Sequence, residues 1–182
     1  ARRGLTLVRE AEGALPLREG VRLLVVAVHD ERTTVAIDAT LQAELNRRAA
    51  SVDFVRLDPT SCAGEGAAVA ERAKEADAVV VALFVRPRSG RGTLEVPPEG
   101  RAALAPLLAS GRPVVGISFG SPYLLRDLPG LPTYLCAYGH QALVQAAAVR
   151  ALWGEAPIEG TLPVTIPGVA PRGMGIRKEA VK

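Results

Sequence analysis

The stretch Val114-Val115-Gly116-Ile117-Ser118-Phe119-Gly120-Ser121-Pro122-Tyr123-Leu124-Leu125 holds a buried strand, a glycine-bounded turn and a helix start in one run. Val114 to Ile117 is a short apolar segment, mostly β-branched, of the kind that fills the middle of a parallel sheet. Ser118 to Gly120 interrupt it. Ser121-Pro122 then reads as a helix opening: the serine oxygen accepts from amides of the first turn, and proline has no amide to leave unpaired. Such a strand end presents a small polar surface at the edge where open α/β sheets bind ligands.

The same grammar repeats on either side. Leu23–Val28, Val52–Leu57, Ala78–Val85 and Thr133–Ala137 are further apolar runs of strand length, and Leu5–Val8 is a short one near the start. Ala78–Val85 is the most apolar and is expected at the sheet centre. Between the runs lie helical periodicities over residues 34–50, 64–76, 98–110 and 140–153. In the first, Ile37, Leu41, Leu45 and Ala49 share a stripe, with Asp38, Gln42 and Asn46 on a neighbouring polar face. Pro106 is expected to bend or shorten the third helix, and Gly111 and Gly154 to close the third and fourth. Strands alternating with helices imply right-handed crossovers. The fold class is therefore α/β, a three-layer αβα sandwich with a mostly parallel sheet of about five to six strands. Residues 1–20 read as an arm leading in from a preceding domain, 21–168 as the sandwich and 169–182 as a C-terminal tail. Within that sandwich, Leu162-Pro163-Val164-Thr165-Ile166-Pro167 is confined by its prolines to an edge strand or an extended lid.

Composition narrows the function. The chain has 182 residues, 48% hydrophobic and only 4% aromatic, so the core rests on Ala, Val and Leu. Its 22 Lys and Arg are interspersed with 19 acids, leaving no basic stripe with stacking aromatics, so no nucleic-acid partner is expected. No apolar run reaches about 18 residues, so no membrane partner is expected. Cys62 and Cys136 are read as separate thiols. His29 and His140 lack a third ligand nearby, so neither a metal nor a cofactor is expected. The opening Ala-Arg-Arg, without an initiator Met, suggests a start inside a longer protein.

Gly116-Ile117-Ser118-Phe119-Gly120 satisfies the G-x-S-x-G pattern of a nucleophile elbow, and Asp127 and His140 follow in triad order. The spacing argues against that reading, because acid and histidine should come from later strand-end loops. The helix also begins at Pro122 instead of directly after Ser118. The first strand is followed by His29-Asp30-Glu31-Arg32, so a dinucleotide fingerprint is absent. Arg86, Arg88 and Arg91, with Ser89 between them, form an arginine loop at the end of the central strand, suited to carboxylates, sugar hydroxyls or a neighbouring domain. Glu95 is the one carboxylate close to that loop, and glycoside hydrolysis needs a second across the bond.

SFGSPYLL, the strand TYLCAYG, the helix HQALVQAAAVRALWGEAPIEG and the ending LPVTIPG, with GLTLVREAEGALPL and RGTLEVP upstream, together resemble the C-terminal domain of glycoside hydrolase family 3. The β-N-acetylglucosaminidase (β-hexosaminidase) branch is the most similar. The resemblance implies a partner: an N-terminal (β/α)8 barrel of the same protein, which carries the nucleophilic aspartate and, in that branch, the acid–base pair. It implies a β-linked amino sugar or glucoside as substrate. No catalytic residue is carried over to this chain, and Glu95 does not match the glutamate that some members contribute from this domain. The residues expected to face the barrel or substrate are Arg86, Arg88, Ser89, Arg91, Ser118, Ser121 and Tyr123. The alternatives are a non-catalytic binding module fused to another enzyme, and a serine hydrolase using Ser118.

Overall fold

A computed structural model describes residues 4–32, 36–86 and 94–181. Among these, six strands form one sheet: β1 (Thr6–Arg9), β2 (Arg22–His29), β3 (Ser51–Leu57), β4 (Ala78–Phe84), β5 (Val114–Ser118) and β6 (Thr133–Cys136). Their spatial order is β1-β6-β5-β4-β2-β3. Five run parallel, and β1 pairs antiparallel to β6 at the edge. Four helices, α1 (Ala39–Asn46), α2 (Glu65–Ala73), α3 (Pro98–Leu108) and α4 (Ala142–Leu152), cover the two faces. The expected αβα sandwich is present, with β4 near the sheet centre.

Strand alternation divides the core in two. Leu24, Val26 and Val28 of β2, with Val79, Val81 and Leu83 of β4, point to one face and pack under Val69, Ala73, Leu104 and Leu107 of α2 and α3. Val25, Ala27, Val80, Ala82 and Phe84 point to the other, beneath Leu41, Leu45, Ala148, Val149 and Leu152 of α1 and α4. This period of two is what a doubly covered parallel strand requires, and it explains why the strand sequences are apolar throughout. Both cysteines are buried and free. No helix among the described residues is long and apolar enough to cross a membrane.

Several expectations change. The first helix is shorter than its periodicity suggests. It begins at Ala39, with Asp38 at the cap position and its carboxylate turned away from the helix amides toward His29 and Arg56. Asp38 is thus buried instead of riding on a polar face. Helix α3 runs through Pro106 in its last turn, where the missing amide costs a single intrahelical bond. The segment after Ser121 is a 3₁₀ turn over Pro122–Arg126, with the serine oxygen accepting from the Tyr123 amide as expected (3.2 Å). LPVTIP is neither edge strand nor lid: Leu162 and Ile166 are buried in the α2/α3-side core, and Ile166 bridges Ala170 across a tight turn. Its prolines stop it from joining a ladder, so its apolar side chains act as anchors. Farther on, Ile176 donates its amide to Leu7 of β1 (2.8 Å) and lies along the outer edge of the sheet.

Candidate functional site

The chain leaves β2 for β3 on one side and returns across it to β4 on the other, so the strand order reverses between β2 and β4. Loops diverge at such a point and leave a crevice beyond the strand ends. Here a cavity of about 780 Å³ opens, lined by Glu31 after β2, Arg86 after β4, Phe119, Gly120, Ser121 and Tyr123 after β5, and Tyr138 to Gln141 after β6. A smaller space of about 230 Å³, bounded by Asp30, Pro59, Glu95 and Glu99, lies beside it. Arg86 and Leu94 line both.

Each wall has a local cause. Gly120 permits the β5 loop to lie against the end of β4: a Cβ there would sit 2.3 Å from the Val85 carbonyl oxygen. The Phe119 amide donates to Leu83 (2.9 Å), and its ring stacks on Phe84, which stacks on His29. Arg86 pairs with Glu31 at 2.9 Å, while its Nε is buried with no hydrogen-bond partner among the described residues. The Tyr138 phenol donates to Thr6 Oγ1 at 3.0 Å, and burial pushes it up to about 12. Gln145, buried on α4, accepts from the Leu41 amide and donates to the carbonyls of Ile37 and His140. The cavity therefore combines aromatic surfaces with polar groups from several loops, a composition shared by small-molecule sites.

Of the residues expected at the site, Arg86, Ser121 and Tyr123 line the cavity. Arg88, Ser89 and Arg91 lie outside the described residues. Ser118 lies beneath the floor, fully buried, with its hydroxyl donating to the Ser121 carbonyl at 2.6 Å. Asp127 accepts from the Val96 amide at 2.8 Å, and His140 stands on the cavity wall. Ser118 and Asp127 are thus each bonded to backbone groups and not to one another's would-be partners, and a hydroxyl tied to a backbone carbonyl inside the core is not a nucleophile. Glu95 sits on the smaller space and is 3.6 Å from Arg101. Among the described residues, no three His, Cys, Asp or Glu side chains are grouped to hold a metal ion.

Sequence reading missed the polar cluster behind the site. His29 Nε2 donates to Asp38 Oδ2 at 3.1 Å, and Arg56 donates to both oxygens of Asp38 at 2.8 and 3.1 Å. Burial alone would push the Asp38 carboxyl up, but the hydrogen bonds from His29 and Arg56 outweigh it and hold it below the ordinary value. His29 Nδ1 is buried with no hydrogen-bond partner among the described residues. The available signal was a histidine ending an apolar strand, but its partners come from separate elements that only the fold joins.

The chain matches the glycosyl hydrolase family 3 C-terminal domain over residues 5–172. It belongs to that family. This family 3 domain is 29% identical over 171 residues to a β-N-acetylglucosaminidase/β-glucosidase of Cellulomonas fimi, covering 88% of this chain and 30% of that protein. Among solved structures, it superposes on a fungal multi-domain family 3 β-N-acetylglucosaminidase with a TM-score of 0.76 at 21% identity, covering 94% of this chain and 19% of that one. A family 3 β-N-acetylglucosaminidase from Paenibacillus sp. str. FPU-7 gives a TM-score of 0.69 at 20% identity, covering 89% and 30%. The domain thus spans about a third or less of these relatives.

Proposed function

We propose that this family 3 domain packs on a (β/α)8 barrel of the same protein, with its strand-end cavity turned toward the barrel's sugar site. The complete enzyme then cleaves a β-linked amino sugar or glucoside. The observation that carries this reading is the cavity over the strand ends, which brings Arg86, after β4, together with Ser121 and Tyr123, after β5. Aromatic faces suit the C–H surface of a sugar ring, and the arginine and hydroxyl groups suit its oxygens. Cleavage itself needs two carboxylates flanking the bond. The described cavity lining supplies one, Glu31, and Arg86 pairs with it. The chemistry is therefore assigned to the barrel, and this domain shapes the site.

Two measurements test the proposal. The chain alone should not turn over para-nitrophenyl N-acetyl-β-glucosaminide; turnover would contradict the division of labour. In the full-length enzyme, Arg86→Ala and Tyr123→Ala should each lower kcat/KM about tenfold, the loss expected of a charge-assisted or packed contact to substrate. Unchanged kcat/KM in both would show that this edge does not meet the substrate.

A further inference from the structure

The cavity wall formed by Tyr138 to Gln141 is held from outside the cavity at two points. Ala137 follows the sheet, donating its amide to the Ser118 carbonyl at 2.9 Å. The next residue, Tyr138, leaves the strand path with φ +61°, a left-handed conformation that is uncommon for a residue with a bulky side chain. Such a residue persists where its surroundings over-determine it. Here the side chain reaches back across the sheet edge, and the phenol donates to Thr6 Oγ1 at 3.0 Å. Thr6 is fully buried in β1, opposite Cys136 in the register of β1 and β6, and its hydroxyl in turn donates to the Gly4 carbonyl at 3.4 Å. At the far end of the wall, buried Gln145 donates to the His140 carbonyl at 2.5 Å.

We propose that Thr6 is a positioning residue for the sugar site: it anchors the Tyr138 phenol, and so fixes the cavity wall against which substrate binds. The inference rests on the barrel-facing reading of the cavity. Removing the Thr6 hydroxyl leaves the half-buried Tyr138 phenol with only the neighbouring Cys136 sulfur, a weak acceptor. The ring, already holding an unfavourable backbone, then turns toward the cavity water to find a stronger one. This disturbs ground-state binding and leaves the barrel's catalytic groups untouched, so the effect falls on KM and not on kcat.

The test compares four variants in the full-length enzyme with para-nitrophenyl N-acetyl-β-glucosaminide. Thr6→Val removes the acceptor at constant shape, Tyr138→Phe removes the donor, the double variant removes both, and Thr6→Ser restores a hydroxyl. Both single variants should raise KM about three- to tenfold with kcat within about twofold, as loss of one hydrogen bond predicts. The double variant should be no worse than either single one, because the two residues share one interaction. Thr6→Ser should bind like the wild type. Unmoved KM in the single variants, additive losses, or a fall in kcat alone would overturn the proposal. If Thr6→Val melts before assay temperature, Tyr138→Phe decides the matter with Thr6 intact. Should Arg86→Ala and Tyr123→Ala also be silent, the barrel-facing reading falls and takes this one with it. If they act while Thr6 and Tyr138 do not, only the positioning role fails.

Discussion

Asp38→Asn isolates the charge of the buried cluster while keeping its shape. The His29–Asp38 bond is enclosed, and a buried hydrogen bond to a charged group contributes about 1.5–3 kcal/mol. The two bonds from Arg56 reach a side chain that is 45% exposed, so water screens them and they add about 0–1 kcal/mol. The asparagine keeps one acceptor but presents an NH2 group to donors, so the expected loss at pH 7 is about 2 kcal/mol. The pH dependence follows from the depressed carboxyl. The stability it contributes is complete above the ordinary aspartate value of about 3.9 and is lost as pH falls through the lower folded value. Urea denaturation of wild type and Asp38→Asn, followed from neutral to acid pH, should therefore show a gap that narrows on acidification. A gap that is equal at both ends, or below about 0.5 kcal/mol at neutrality, would show that the carboxylate charge is not what holds the cluster.

Two further outcomes follow from the same geometry. Gly120→Ala places a methyl group 2.3 Å from the Val85 carbonyl oxygen, so the β5 loop must move. A loss of about 1–3 kcal/mol in thermal or chemical melts is expected, and wild-type stability would refute the close approach. Burial pushes the Cys136 thiol up to about 12 and raises the Cys62 thiol as well. Neither should react with a thiol reagent near neutral pH until denaturant is added, and rapid native labelling at Cys136 would contradict its placement in β6.

The layered architecture was legible because each strand is short, apolar and bounded by turn residues, and because helical periodicity fills the gaps. What escaped is long-range. Asp38 sits at helical spacing from Gln42 and so resembled a solvated face, until the fold brought His29 and Arg56 to it. Gln145 carried no sequence signal of its own, although its amide ties α4 to the segment before α1. Phe119 and Tyr138 line the cavity through backbone turns set by Gly120 and by a left-handed tyrosine, features a linear pattern does not display. Ser118 shows the converse. Its motif was complete in sequence, yet strand geometry points its hydroxyl into the floor.

The bridge between Leu7 and Ile176, with the Gly160 amide donating to Leu5 and Lys178 reaching Glu10 at 2.8 Å, brings the two described ends of the chain to one side of the sheet. A domain whose ends meet can be spliced into a host protein through a single insertion point, or reopened elsewhere after its ends are joined. The segment around Ile176 also occupies part of the outer edge of β1, and so blunts its pairing with other strands.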